Sequence, residues 1–253
     1  MSAKLEKMFG SIVGHGAQAT VYAKGEYAVK LYREGYPKAN VFSEAYVMVN
    51  LERMNFPSPK VYEILLVDGL YGLRMDLVKG KIMAKEFNNH DPAKIKGAMD
   101  ILVNLQVRLQ NYDKTAWAPD LKQRFHDDIE RSDRLSANLK KSLLNELDGL
   151  PGGQALCHCD FHPDNVFFDG AKYTIIDLLQ ISRGDPAADA ACSYVVYSYV
   201  HRDLAEYYLD RYREASGIPQ KNVRQWLRVY AGTLLGQVPE QFTPILEQYI
   251  GLK

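Results

Sequence analysis

Short apolar runs with strand-like alternation, separated by turns that contain glycine, occupy much of the first third of the chain. The predicted strands are two within residues 11–22, then Tyr27 to Tyr32, Val61 to Val67 and Leu70 to Val78. The last two strands are joined by Asp68-Gly69, which is a strong hairpin signal. We therefore expect a five-stranded antiparallel sheet that follows a polar lead-in at residues 1–9.

Helical spacing replaces this alternation in one early segment and in most of the later chain. Residues 39–54 predict a helix with Phe42, Tyr46 and Val49 on one side. Asp91-Pro92 predicts an N-cap followed by proline at the first helical position. The later part of the chain is therefore expected to be mostly helical.

Polar side chains that can handle protons and metal ions are concentrated in one short segment around Pro163. Asp160 and Asn165 lie on either side of this proline, which disfavours an α-helix between them. Two short apolar runs joined by Asp169-Gly170 then predict a hairpin of buried strands that ends at Asp177. A carboxylate in this place needs a charged partner, because a buried charge without one is unfavourable.

The spacing H-x-D-x-x-x-x-N, followed about a dozen residues later by an aspartate on a hairpin, is typical of phosphoryl transfer. Asp160 would then accept the proton of an attacking hydroxyl, while Asn165 and Asp177 would hold Mg²⁺ on the nucleotide phosphates. His162 is the second catalytic candidate. It would either contact the γ-phosphate or shape the loop by hydrogen bonding, and both roles stay open at this point.

A glycine pair and a lysine in the sheet region fit the same chemistry. Gly14 and Gly16 lie in a predicted turn between strands, where the missing Cβ lets backbone N–H groups approach phosphates closely. Lys30 follows in an Ala-Val-Lys strand, where a cation among apolar neighbours needs an anion. Glu44 in the predicted helix is the preferred partner, because Glu52 lies two turns farther along.

In these motifs the chain resembles the aminoglycoside phosphotransferase and choline kinase-like family of small-molecule kinases. The matching residues are His158, Asp160, His162, Pro163, Asn165, Asp177, Gly184-Asp185-Pro186 and Asp189. The resemblance covers nearly the whole chain. It implies an α+β, bilobal protein-kinase-like fold, with a nucleotide-binding domain at residues 1–78 and a helical acceptor domain at residues 79–253. It also implies ATP or GTP as the phosphoryl donor, with Mg²⁺.

The resemblance implies roles for further residues. Met75 would sit behind the adenine base, and backbone groups of Asp76 and Leu77 would bind it. Asp189 would brace the catalytic loop through backbone N–H groups. The last helices, at about residues 220–250, would form one wall of the acceptor site, where we favour an antibiotic or other metabolite over a choline-type amino alcohol.

Length and composition restrict the other possibilities. The 253 residues carry 31 basic and 31 acidic side chains, so a sizeable core is possible and no charge bias points to nucleic acid or membranes. Three cysteines, no signal-peptide pattern and no apolar run near the roughly 20 residues of a membrane span predict a cytoplasmic protein. We expect a monomer or weak dimer with a small-molecule acceptor.

Two other interpretations remain open from the sequence. Cys157, His158, Cys159 and His162 are possible Zn²⁺ ligands, although their spacing is not that of a usual zinc finger. The chain could also be a nucleotide-binding scaffold without turnover. The stretch His201-Arg202-Asp203-Leu204 resembles a catalytic tetrapeptide, but its surroundings favour a helix.

Overall fold

The computed structural model describes residues 2–87, 91–200 and 202–252, which form two compact units. The first unit contains Met1–Lys85 and Asp164–Leu179, and the second contains Glu86–Pro163 and Gln180–Lys253. The chain therefore returns to the first unit for the hairpin that follows the candidate catalytic loop. The expected division into residues 1–78 and 79–253 stays a prediction.

Strands and α-helices of the described residues are numbered in chain order. The strands are β1 (Ser11–His15), β2 (Ala19–Lys24), β3 (Tyr27–Tyr32), β4 (Val61–Val67), β5 (Leu70–Asp76), β6 (Lys81–Ile82), β7 (Ala155–Cys157), β8 (Val166–Phe168), β9 (Tyr173–Ile175) and β10 (Ser182–Gly184). The α-helices are α1 (Ser2–Phe9), α2 (Lys38–Arg53), α3 (Ala84–Phe87), α4 (Pro92–Gln110), α5 (Leu121–Arg131), α6 (Ala137–Gly149), α7 (Pro186–Val200), α8 (Arg202–Ser216), α9 (Gln220–Arg224), α10 (Leu227–Leu234) and α11 (Thr243–Ile250). Short 3₁₀ helices occupy Thr115–Trp117, Pro163–Asn165 and Glu240–Phe242.

The main sheet of the first unit has five antiparallel strands in the order β1-β2-β3-β5-β4, which confirms the predicted sheet. Val67 pairs with Leu70 at the tight turn between β4 and β5. Asp68 and Gly69 both have positive φ, 50° and 83°. A two-residue turn with this backbone matches the twist of the flanking strands, so the Asp-Gly pair sets the register of the hairpin.

The expected polar lead-in is wrong, because residues from Ser2 onward form helix α1. Leu5 is buried against Tyr22, Val29 and Leu31 of the sheet. The apolar positions of α1 follow helical spacing, so that one side of this helix packs on the sheet. The prediction failed because the lysines and glutamate between these positions made the segment look uniformly polar.

Helix α2 confirms the predicted helix, and its predicted apolar side is not the one that packs inward. Phe42, Tyr46 and Val49 are all exposed, whereas the side that packs inward carries Ala45, Met48 and the charged Glu44. Apolar residues occur around much of this helix, so the sequence pattern does not define its rotation. The buried carboxylate of Glu44 requires a cationic partner, and the observed rotation brings it to Lys30.

A second, smaller sheet of the first unit has the order β6-β8-β9 and contains the predicted hairpin. Asp169 closes its turn, because the Asp169 carboxylate accepts hydrogen bonds from the N–H groups of Ala171 and Lys172, both at 2.9 Å. Pro163 is the first residue of a short 3₁₀ helix, Pro163–Asn165, that precedes β8. The segment between Asp160 and Asn165 is therefore not free of helical structure. Proline fits this position because its first-turn N–H is not needed.

The second unit is mostly helical, with a large core in which α7 is central. Asp91 caps α4 as predicted, since its side chain accepts from the N–H of Ala93 at 2.9 Å. In the stretch that resembles a catalytic tetrapeptide, Arg202 to Leu204 begin helix α8 as expected. His201 lies outside the described residues. Within the described residues, no helix is both long enough and apolar enough to cross a membrane.

Candidate active site

The structure brings Lys30 and Glu44 together in the first unit, as their sequence context suggested. Lys30 Nζ lies 2.7 Å from Glu44 Oε1, and the two side chains are only 15% and 4% exposed. Lys30 Nζ also lies 3.6 Å from Asp177 Oδ1. Burial alone would lower the pKa of Lys30, but the charges of Glu44 and Asp177 outweigh it and raise this pKa above its ordinary value. The ammonium therefore stays charged in the neutral pH range.

The two predicted metal ligands lie at the same end of the β8–β9 hairpin. Val166 pairs with Ile175, and the N–H of Ile176 donates to the carbonyl oxygen of Asn165 at 2.9 Å. Asp177 follows directly in the left-handed backbone region, with φ 58°. Its carboxylate is about half exposed at 47% and so remains accessible. A carboxylate and an amide oxygen are donors that suit Mg²⁺, so these residues fit the ion that the family resemblance implies.

Gly14 and Gly16 flank His15 at the turn between β1 and β2. Neither glycine needs the left-handed backbone region. A Cβ at Gly14 would meet Val21 at 3.8 Å, and a Cβ at Gly16 would meet the Ala19 carbonyl oxygen at 3.6 Å, which are ordinary contacts. The fold of the protein therefore tolerates alanine at both positions. A ligand that approaches the backbone closely would explain why both are glycine.

The predicted adenine-binding segment, here called the hinge (Met75, Asp76 and Leu77), lies at the end of β5. Met75 pairs with Ala28 of β3. The N–H of Asp76 donates to the Lys60 carbonyl oxygen and that of Leu77 donates to the Glu26 carbonyl oxygen, both at 3.0 Å. A base that binds here would thus find these two N–H groups already used, and would depend on carbonyl oxygens or on the next residue, Val78.

A cavity of about 310 Å³ lies in the first unit at this end of the sheet. It is lined by Glu26, Tyr27, Ser58, Pro59, Tyr62, Asp76, Leu77, Val78, Lys79, Asp169, Lys172 and Thr174. This lining shares Asp76 and Leu77 with the predicted hinge but contains neither Lys30 nor the two glycines. The cavity is therefore separate from the candidate phosphate-binding groups.

The loop that carries Asp160 and His162 belongs to the second unit. His162 Nε2 lies 3.5 Å from Asp160 Oδ1, and the side chains are 21% and 35% exposed. The backbone is fixed on both sides of Asp160. The N–H of Cys159 donates to Asp189 Oδ1 at 2.7 Å, and the hydroxyl of Ser193 donates to the Phe161 carbonyl oxygen at 2.9 Å.

Asp189 is held in place by a buried network that the sequence did not reveal. Gln106 Nε2 and Gln110 Nε2 donate to Asp189 Oδ2 at 2.9 and 2.8 Å. The hydroxyls of Tyr208 and Tyr212 donate to the carbonyl oxygens of the same two glutamines, at 2.7 and 2.8 Å. The signal that could have found it is a pair of glutamines four residues apart on the apolar side of α4, where buried amides require partners.

Burial raises the pKa of Asp189 to about 6, with a further contribution from the charge of Cys159. The N–H of Cys159 and the two glutamine amides act in the opposite direction, because they stabilise the carboxylate. At neutral pH the group is therefore ionised and accepts three hydrogen bonds beside the catalytic loop. Cys159 itself has a φ of 62°, so this anchor holds a residue in an unfavourable backbone conformation.

The last helices contribute less to an exposed wall than expected. Trp226 is fully buried, and its indole N–H donates to Asp185 Oδ2 at 2.9 Å, so it cannot contact an acceptor. Tyr230 is also buried, with its hydroxyl 3.4 Å from the Cys159 carbonyl oxygen. Phe242 is partly exposed and stacks on Tyr199 with ring centroids 4.3 Å apart.

The zinc alternative gains no support from the structure. Among the described residues, no group of three or more histidine, cysteine, aspartate or glutamate side chains is arranged to hold a metal ion. Cys157 and Cys159 are buried free thiols.

A lysine–glutamate pair that meets a hairpin aspartate is typical of the kinase-type phosphotransferases. The chain belongs to the phosphotransferase enzyme family, whose family model matches residues 11–230. This confirms the resemblance drawn from the motifs. The prediction of an enzyme that transfers a phosphoryl group to a hydroxyl acceptor is confirmed at the level of the family.

Solved structures with a similar fold include antibiotic and amino-alcohol kinases. A thermostable mutant of aminoglycoside phosphotransferase APH(4)-Ia, in complex with ADP and hygromycin B, aligns with a TM-score of 0.67 at 13% identity over 98% of this chain and 96% of that one. Aminoglycoside phosphotransferase APH(3'')-Id from Streptomyces rimosus, in complex with ADP and streptomycin, aligns with a TM-score of 0.63 at 18% identity. The alignment covers 92% of this chain and 97% of that one.

A choline/ethanolamine kinase family protein from Mesorhizobium loti aligns with a TM-score of 0.63 at 18% identity, over 98% of this chain and 90% of that one. No curated relative matches the sequence significantly. The structural likenesses confirm the α+β, protein-kinase-like fold that the motifs predicted.

Proposed function

We propose that this protein transfers the γ-phosphoryl group of ATP, or of GTP, to a hydroxyl group of a small molecule in the cytoplasm. The observation that carries the proposal is the cluster of Lys30, Glu44 and Asp177, in which one ammonium lies between two carboxylates. The structurally similar complexes with ADP support a nucleotide donor.

In this proposal, Lys30 and the backbone around Gly14 and Gly16 bind the phosphates. Glu44 Oε1 lies 2.7 Å from Lys30 Nζ and orients the ammonium group. Because this contact uses one of its three protons, the ammonium can also donate to an anion. Asn165 and Asp177 would hold Mg²⁺, which neutralises charge on the phosphates when bound.

Asp160 accepts the proton of the attacking hydroxyl, an assistance of typically about 10²–10⁴-fold. The hydrogen bonds of Cys159 and Phe161 fix the backbone around this base. His162 lies close to Asp160 and is proposed to orient it or to contact the transferred phosphate.

The acceptor that we favour is an antibiotic or other metabolite, as in the structurally similar aminoglycoside phosphotransferases. A choline-type amino alcohol is the second candidate. It is supported by the partly exposed aromatic side chains of Tyr199, Phe242 and Tyr249 in the second unit, since aromatic faces attract quaternary ammonium groups.

The nucleotide part of the proposal is tested with Gly14→Ala and Gly16→Ala. Because both sites accept a Cβ, each variant should keep its stability or gain about 0.4–1 kcal/mol. The affinity for the Mg²⁺ complex of a non-hydrolysable ATP analogue should fall, since the methyl group occupies the approach of the phosphates. Thermal unfolding and titration calorimetry measure the two effects. Unchanged affinity in both variants would contradict phosphate binding at this turn.

Turnover is tested with ATP and GTP against a panel of aminoglycosides, macrolides, amino alcohols and sugars. Asp160→Asn should abolish phosphorylation while nucleotide binding persists, and Asp164→Asn in the same segment is the matched control. Nucleotide binding without phosphate consumption across the panel would instead favour a silent scaffold.

A further inference from the structure

Glu44 binds two partners with its two carboxylate oxygens. Oε1 accepts from Lys30 Nζ at 2.7 Å, and Oε2 accepts from the hydroxyl of Tyr32 at 2.5 Å. Tyr32 lies two residues after Lys30 on β3, so both side chains leave the strand on the same face. Tyr32 is fully buried. Its hydroxyl is therefore a fixed part of the Lys30–Glu44 pair.

The hydroxyl of Tyr32 can only donate to Glu44, because an ionised carboxylate is an acceptor. Burial, followed by the charge of Glu44, raises the pKa of Tyr32 far above its ordinary value. The hydroxyl therefore stays protonated and remains a donor at neutral pH. With Oε2 bound to Tyr32, Glu44 presents one oxygen to Lys30, and the ammonium keeps protons for other anions.

A second tyrosine continues from this pair to the turn with the glycines. The rings of Tyr32 and Tyr36 are stacked, with centroids 4.6 Å apart and an interplanar angle of 14°. The hydroxyl of Tyr36 donates to Gln18 Oε1 at 3.0 Å. Gln18 lies in the turn between β1 and β2, directly after Gly16 and Ala17.

Arg33, between the two tyrosines, adds two bonds to the same turn. Its backbone N–H donates to the Gln18 carbonyl oxygen, and its Nη2 donates to the Gly16 carbonyl oxygen, both at 3.0 Å. The segment from Tyr32 to Tyr36 thus contacts Glu44 at one end and the glycine turn at the other. All of these contacts lie within the first unit.

We propose that Tyr32 and Tyr36 are positioning residues that connect the glycine turn to the Lys30–Glu44 pair, so that both phosphate-binding elements are set together. This inference rests on the proposed function, since it assigns phosphate binding to both elements. Neither tyrosine needs to touch the nucleotide. Loss of either hydroxyl should weaken binding of the phosphates and leave binding of the nucleoside unchanged.

The test compares Tyr32→Phe, Tyr36→Phe and the double variant. Titration calorimetry gives the dissociation constants of adenosine, ADP and a non-hydrolysable ATP analogue, the last two with Mg²⁺. Tyr32→Phe removes a buried hydrogen bond to a charged group and should raise the constant for the ATP analogue about tenfold, or about 1.4 kcal/mol. Tyr36→Phe removes an exposed bond to Gln18, together with the hydrogen bond between the Tyr36 hydroxyl and Asn40, and should raise this constant about threefold.

The two tyrosines form one connection, so breaking it at a second point should add little. The dissociation constant of the ATP analogue should therefore rise by a smaller factor in the double variant than the product of the factors in the two single variants. Tyr22→Phe, a buried tyrosine on the neighbouring strand, is the matched control and should change no dissociation constant. Tyr36→Phe leaves the bond to Glu44 intact, so it remains informative if Tyr32→Phe proves unstable in thermal unfolding.

Three results would overturn the inference. They are unchanged affinities in both single variants, equal losses for adenosine and the ATP analogue, or strictly multiplicative effects. If the unmodified protein binds no nucleotide, the proposed function fails first and the inference fails with it. If it binds nucleotide but the tyrosine variants behave like the unmodified protein, only the inference fails.

Discussion

The buried carboxylate of Asp189 should give the protein a distinctive dependence of stability on pH. Its pKa is raised from 3.8 to about 6, chiefly by burial. A carboxyl group whose pKa is higher in the folded state stabilises folding below its unfolded pKa. That contribution is lost as the pH rises through about 6. Acidification from neutral pH therefore increases the contribution of this one group to folding.

The size of the effect follows from the shift in pKa. Each pKa unit corresponds to about 1.36 kcal/mol, so the full difference between the two protonation states is about 3 kcal/mol. By the linkage relation, the contribution of Asp189 to the unfolding free energy changes by about 2 kcal/mol between about pH 7.5 and about pH 4.5. The remainder appears only below the unfolded pKa.

Asp189→Asn removes the titrating group and keeps an oxygen that can accept the N–H of Cys159. Urea unfolding of both proteins across this pH range gives the difference in unfolding free energy. On acidification, the unfolding free energy of the unmodified protein should rise by about 2 kcal/mol relative to that of the variant. All other titrating groups cancel in this difference, and so does any constant change caused by the new amide beside Gln106 and Gln110. Asp210→Asn is the control at an exposed site, where the carboxylate accepts one hydrogen bond from Gln220 Nε2 that an amide oxygen can still accept.

A difference that stays constant from neutral to acidic pH would show that Asp189 titrates alike in the folded and unfolded chain. A difference of the opposite sign would show that the three hydrogen bonds outweigh burial. Either result would refute the account of the buried network given above.

Three further predictions concern the site and its support. Tyr208→Phe removes the hydroxyl that orients Gln106 and should lower the unfolding free energy by about 1 kcal/mol in urea titrations, an unchanged midpoint and slope being the contrary result. Asp177→Asn should weaken binding of the Mg²⁺–nucleotide complex itself, which calorimetry with and without Mg²⁺ resolves; equal binding in both cases would remove Asp177 from the metal site. Glu44→Gln leaves Lys30 facing one carboxylate instead of two and should raise the Michaelis constant for the nucleotide, whereas a change in turnover alone would argue against phosphate binding by Lys30.

Features set by neighbouring residues were predictable from the sequence. The Asp68-Gly69 turn fixes its hairpin through backbone preferences, and an Ala-Val-Lys strand after a glycine turn requires an anion. The choice of Glu44 over Glu52 succeeded because only one turn of the helix can face Lys30. Glu52 instead pairs with Lys60 at the surface, at 3.2 Å.

Features set by distant contacts were not predictable. The exposure of Phe42 and Tyr46 in α2 is one example, because their apolar character did not indicate that this side of the helix faces away from the sheet. The support of Asp189 by Gln106 and Tyr208 joins α4 to α7 and α8, which are more than 80 residues away from Gln106 in sequence. The hydrogen bonds of Gln106 become apparent only when α4, α7 and α8 are placed together.

The left-handed backbone of Asp177 limits which sequences can preserve this site. Glutamate carries the same charge, but its longer side chain lacks the short-range bonding that makes this conformation tolerable for aspartate and asparagine. Glycine would relax the backbone but carries no carboxylate. Of the two residues that carry a carboxylate, aspartate therefore fits this bend better, and a requirement for a carboxylate here would restrict the position to it.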